Sequence, residues 1–177
     1  MGNLGTRLGS GWAAGVIALH FFVLACTAAP LWSADREPVN LALHKPASSS
    51  SIEDDDHSAA KANDGDPDTS WCADDEPENG PEWWQVDLKK TYELSGCQIR
   101  WPYDGKKYQY KVEGSTDQKT WSLLSDQTKS SFTSQLHDLK FQNAHPARYV
   151  RITVTGFDEG CWASIAEVKV FGKEHKP

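Results

Sequence analysis

The sequence predicts an all-β, antiparallel sandwich, and three features of its 177 residues point there. Short segments alternate apolar and polar residues with period two, which is how a strand with one buried face reads. Clusters of Gly, Pro, Asp, Asn and Ser separate these segments, and no stretch holds a helical period. The composition agrees, because 13 Gly, 9 Pro and 8 Trp beside a single Met suit turns and sheet cores better than a helical bundle.

The chain begins with a targeting segment. Arg7 is the only charge before Asp35, Gly11 to Ala25 is apolar except for His20, and small residues follow. That pattern describes a secretory signal over residues 1–34, with an apolar run shorter than a membrane span. Two exits stay open. Val23-Leu24-Ala25-Cys26 resembles a bacterial lipobox in which Cys26 would carry lipid; ordinary cleavage near Ala28, Ala29 or Ala34 would release a soluble domain. The expected location is therefore outside the cytoplasm, as a secreted, periplasmic or outer-surface lipoprotein. Loss of the leader leaves 17 Lys and Arg against 25 Asp and Glu, a charge of −8. Such a surface argues against nucleic acid as partner, and against anionic lipid, leaving a lipid anchor as the one expected membrane link. Zinc spacings, a P-loop and a dinucleotide fingerprint are all missing from the sequence.

Residues 35–39 read as a linker, 40–173 as the domain and 174–177 as a polar tail. Asn40 to Leu43 alternate briefly, predicting an early strand that Pro46 ends. Ser48 to His57 is polar loop. Glu82 to Leu88 is a strand with Trp84, Val86 and Leu88 inward and Trp83, Gln85 and Asp87 outward. Leu94 to Trp101 is another, burying Cys97, Ile99 and Trp101. Tyr108, Tyr110 and Val112 share a face before a turn at 114–120 and Trp121. Val150, Ile152 and Val154 point inward, and Ile165 to Phe171 closes the domain. Trp71, Trp84, Trp101 and Trp121 are expected in the core.

The densest chemistry lies in Ala62-Asn63-Asp64-Gly65-Asp66-Pro67-Asp68-Thr69-Ser70-Trp71. Gly65 tolerates positive φ and Pro67 fixes its own, so consecutive turns gather carbonyls and short carboxylates toward one point. Calcium, a hard cation taking six to eight oxygens, wants that arrangement. An EF-hand does not fit, since Thr69 stands where its Gly is needed and Asp75 where its bidentate Glu is needed. A solvated Asx-rich turn without an ion explains these residues equally well.

These residues resemble the coagulation factor V/VIII type C, or discoidin, domain, a galactose-binding-like fold close to family 32 carbohydrate-binding modules. The matching pieces are Asn40-Leu41-Ala42, the Ala62–Trp71 turn, Trp84–Leu88, Tyr110–Asp117 with Trp121, Ala147–Ile152 and Ile165–Gly172, in family order across residues 40–172. The resemblance implies a jelly roll of about eight core strands whose first and last strands lie together. It also implies a calcium site built from the Asp64 carboxylate, carbonyls near Lys61 and Asp66, Thr69 by hydroxyl and carbonyl, and Glu167. Such a site would close a loop of about a hundred residues and act as a structural staple.

If those ligands meet at one ion, Cys72 and Cys161 are carried near each other. A Cys72–Cys161 disulfide is then expected, worth on the order of 4 kcal/mol. Cys97 reads as a buried hydrophobe. In sugar-binding relatives the ligand lies on apical loops, here Ser51–His57, Cys72–Gly80, Pro102–Lys107 and Phe157–Trp162. They supply Glu53, Asp54, Asp74, Tyr103, Asp104, Lys106 and Trp162 as ligand-binding candidates, with His57, Asp75 and Phe157 nearby. Aromatic rings stack on a sugar's C–H face and a few polar groups fix its hydroxyls. The best-known galactose binders differ, having His where Cys72 stands and Arg where Tyr103-Asp104 stands. Trp162 beside Cys161 can equally be packing.

The expected function is an exported, monomeric, non-catalytic carbohydrate-binding module with structural calcium. The second reading is a discoidin-type adhesion domain without sugar specificity. A glycosidase would need paired carboxylates, for which Asp74 and Asp104 are the candidates, but the pieces belong to a binding scaffold and no catalytic residue is expected.

Overall fold

Eight strands form among residues 38–74 and 81–175, the part of the chain that the computed structural model describes. The expectations for the leader at 1–34, for Cys26, for Asp75 and for the end of the tail lie outside those residues. The strands are β1 (Ala47–Ser49), β2 (Trp71–Cys72), β3 (Trp83–Arg100), β4 (Tyr108–Ser115), β5 (Ser122–Gln127), β6 (Leu136–Phe157), β7 (Ser164–Ile165) and β8 (Glu167–Glu174). All pairings are antiparallel. Two short 3₁₀ turns, Asp55–His57 and Ala59–Asn63, supply the only helical pieces among the described residues.

The two strands expected at 82–88 and 94–101 are one long strand that serves two layers. The first part of β3 lies between β1 and β6, with Val86 opposite both Ala47 and Val150. Its second part lies between β8 and β6, with Cys97 opposite both Val170 and Leu139. The register breaks between Asp87 and Tyr92, where Lys89 takes φ 71°, and the strand folds over there. β6 makes the same passage, leaving its second half to pair with β4, which carries β5 on its outer edge. Gly96 sits at a second irregularity, where a side chain could not fit: a Cβ there would lie 2.4 Å from the Leu139 carbonyl oxygen.

Inward alternation from both layers fills one core. Trp84, Val86, Leu88, Ile99, Trp101, Tyr108, Tyr110, Val112, Val150 and Ile152 are fully buried, as their period predicts. Burial of each such side chain contributes about 1.5–3 kcal/mol. Trp121 departs from expectation. It stays half-buried on the outward face, where the Arg151 guanidinium lies 4.0 Å from its ring and 4.6 Å from that of Trp83. Gln85 Oε1 accepts from Arg151 Nη2 at 2.8 Å, so the outward row of the sheet is itself packed.

The early strand expected at Asn40–Leu43 is a turn, with His44 at φ 55°. Side-chain amides take the backbone groups that a partner strand would have used. Asn40 Oδ1 accepts from the N–H groups of Ala42 (3.0 Å) and Val170 (3.1 Å), and Asn63 Nδ2 donates to the carbonyls of Ala42 (2.7 Å) and Lys45 (2.9 Å). The first described residues are thereby tied to β8, as the resemblance implied.

His137 shares a hydrogen bond of 2.8 Å with the Tyr110 hydroxyl and is 5 % exposed, and burial pushes its pKa down. The unfolded chain takes up that proton near pH 6.5 and the folded chain only at lower pH, so stability is complete above about 6.5 and falls below it. Thermal melts from pH 8 to 5 should show the native protein losing more stability on the acid side than His137→Gln.

Candidate functional site

The Ala62–Trp71 turn folds as its residues require. Asp64 follows the 3₁₀ turn Ala59–Asn63, and Gly65 takes φ 87°, a left-handed value that suits glycine. Asp64 Oδ1 accepts from Asp66 N–H (2.9 Å) and Asp66 Oδ1 from Asp68 N–H (3.0 Å), two successive Asx turns. Oxygens crowd around Thr69. Its Oγ1 lies 3.3 Å from the Lys61 carbonyl, 3.0 and 3.1 Å from the two Asp64 carboxylate oxygens and 3.1 Å from the Asp66 carbonyl. One hydroxyl proton can serve only one of them.

Glu167 arrives at the same turn from β8. It is 6 % exposed, its Oε2 accepts from Gly65 N–H at 3.1 Å, and its Oε1 is buried without a partner. Burial pushes its pKa up to about 7, and the nearby Asp64 and Asp66 carboxylates add to the rise. A cation among these oxygens would relieve both the orphaned Oε1 and the crowding at Thr69. Among the described residues no three His, Cys, Asp or Glu side chains cluster as a metal site. The donors gathered here are carbonyls, a hydroxyl and two carboxylates, the oxygen chemistry of a hard cation.

A second feature lies one ladder away. β2 starts two residues after Thr69 and β7 ends two before Glu167, and the two strands pair Trp71 with Ile165 and Cys72 with Ser164. That register corrects the expected disulfide. It sets Ser164, not Cys161, opposite Cys72, while Cys161 sits beside the Tyr108 hydroxyl, and no disulfide joins Cys72 to Cys161. Burial pushes the Cys97 thiol up to about 12, in keeping with an inert core residue.

At the end of this ladder opens a hollow of about 270 Å³, walled by Tyr103 and Trp162, with Glu53 and His57 on its rim. Tyr103 and Trp162 remain 44 % and 41 % exposed. Of the expected ligand-binding residues, Glu53, Tyr103 and Trp162 meet here. Asp54 is drawn into capping: it accepts from His57 N–H at 3.0 Å, and its contact with the His57 ring holds its carboxyl below the usual range. Asp104 and Lys106 are also occupied, Asp104 by Gln135 N–H (3.1 Å) and Lys106 by the Glu159 carbonyl (3.0 Å). They tie loops together and do not line the hollow. Asp74 lines a neighbouring hollow, together with Glu82 and Phe157. Glu82 was not foreseen, because its place depends on the pairing that sets Ser50 and Ser51 against it.

Comparison with known proteins agrees with the antiparallel sandwich described above. The model of the F5/8 type C domain matches residues 46–168, and the chain belongs to that family. Chitosan-binding module 1 from the chitosanase/glucanase of Paenibacillus sp. IK-5 is 28 % identical at TM-score 0.64, over 76 % of this chain and 99 % of its own. Module 2 of that enzyme, solved with chitotriose, is also 28 % identical at TM-score 0.64, over 75 % and 100 %. The family 32 module of Clostridium perfringens NanJ, solved with galactose, shares the fold at 23 % identity and TM-score 0.61, over 72 % and 93 %. No curated protein matches.

The tryptophans separate by role. Trp71→Ala, at a fully buried ring whose Nε1 donates to the Ser51 carbonyl at 2.9 Å, should cost about 3–5 kcal/mol. Trp162→Ala should change stability by less than about 1 kcal/mol. Urea titration of both variants checks this.

Proposed function

We propose that the domain is an exported, non-catalytic carbohydrate-binding module that holds glycan at its apical loops and carries one structural calcium ion. The observation behind the glycan site is the hollow lined by two exposed aromatic residues, Tyr103 and Trp162, together with a carboxylate, Glu53. Rings of that kind cover a sugar's C–H face while the carboxylate accepts from hydroxyl or ammonium groups. The Paenibacillus modules make oligosaccharides of the chitosan type the first ligands to test. The leader over residues 1–34 supports export.

Calcium would be held by the Lys61 and Asp66 carbonyls, Asp64, Thr69 and Glu167. It supplies charge compensation for a buried carboxylate and joins the early turn to β8; no chemistry at the glycan site passes through it.

Two measurements test these readings. Addition of calcium at a hundred times its dissociation constant should stabilise the protein by about 2.7 kcal/mol, raising the melting temperature, and Asp64→Asn and Glu167→Gln should lose that gain. On a glycan array, Trp162→Ala should remove the signal, whereas Asp104→Ala, outside the hollow, should keep it. Loss of signal in the second variant alone would overturn the loop assignment.

A further inference from the structure

Trp162 lines two hollows. One is the 270 Å³ hollow with Tyr103 and Glu53. The other, of about 360 Å³, is lined by Val154, Gly156, Phe157, Asp74 and Glu82. Each lies near the low end of the roughly 300–1,000 Å³ that small-ligand sites occupy. A single sugar suffices to fill either one.

The aromatic residues follow the same line. Four aromatic side chains are conspicuously exposed among the described residues: Tyr103, Phe132, Phe157 and Trp162. Phe132 packs edge-on against His137, with ring centroids 5.9 Å apart. The other three border these two hollows, in the order Tyr103, Trp162, Phe157. The second hollow also has a built polar flank. Glu82 accepts hydrogen bonds from the hydroxyls of Ser50 and Ser51, the latter at 2.8 Å, and Ser51 Oγ accepts from Asp74 N–H at 3.1 Å. One short network thus fixes the Glu82 carboxylate and the backbone of Asp74, and preorganised groups lose less freedom when a ligand arrives.

We infer that the Phe157 hollow is a second sugar subsite, and that the ligand is a glycan of at least two residues lying across Trp162 with one residue on either side. Asp74 and Glu82 would accept from hydroxyl or ammonium groups of the second residue, while Phe157 covers its apolar face. This inference rests on the glycan site proposed above and adds the length and path of the ligand.

The test is isothermal titration of the exported chain with glucosamine, chitobiose and chitotriose, and with galactose and GalNAc-β-1,3-galactose. In the series that binds, the longer sugar should bind at least about tenfold more tightly than its single sugar, the equivalent of about 1.4 kcal/mol. Phe157→Ala and Thr155→Trp, which strip and fill the second hollow, should remove that gain and leave single-sugar affinity unchanged. Trp162→Ala should weaken both. Equal affinity for single and longer sugars, or a gain that survives both hollow variants, overturns the second subsite while the first stands. No heat with any probe overturns both.

Discussion

Glu167 brings a carboxylate into the interior at the start of β8 and rests it against the N–H of Gly65, which precedes it by 102 residues. A carboxylate so enclosed is costly unless it is paired, and here one oxygen has a single N–H while the other has none. The surroundings therefore have to supply positive charge or a proton. The Asp64–Thr69 bend, with carbonyls and carboxylate turned inward, offers a ready seat for the former. Around it, Leu41 N–H donates to the Val170 carbonyl at 2.8 Å and Asn40 also reaches Val170, so the start and end of the domain close at one place. The loop-closure cost is large in sequence terms but grows only slowly with length, which is why so distant a contact can persist.

The β2–β7 ladder connects that bend to the apical hollow. Its two rungs, Trp71 with Ile165 and Cys72 with Ser164, run between the oxygen cluster and the Tyr103–Trp162 hollow. Ala73 N–H extends it by one bond to the Ala163 carbonyl at 2.9 Å, directly beside Trp162. The position of the aromatic wall is thus set by backbone hydrogen bonds that begin at the bend. The loops that carry Tyr103 and Trp162 are held in place by a short strand pair.

The fold was legible because period-two burial is a local signal. Trp84, Val86 and Leu88, or Tyr108, Tyr110 and Val112, declare their inward face within a few residues, and the structure buries each of them. The passage of β3 from one layer to the other was not legible, since Lys89 at φ 71° marks no break in composition. Within the candidate site, Tyr103 and Trp162 stood out as apical aromatics, but Asp104 and Lys106 looked equally suitable as ligands. Nothing in the sequence tells a carboxylate that faces a sugar from one that holds Gln135 N–H. Trp121 was misplaced for a similar reason: its partner Arg151 lies on another strand, and only the register makes a cation–π sandwich of Trp83, Arg151 and Trp121. The cystine failed at the level of register too, as sequence proximity to two meeting turns does not say which residues face each other.

The two long strands carry a last consequence. Since β3 and β6 each belong to both layers, neither layer owns a complete set of strands that could come apart while the other survives. Fraying one sheet strips a partner from its counterpart along the same stretch of backbone. Loss of structure is in this way forced toward all-or-none behaviour, and the apical loops stand on a frame that is either whole or absent.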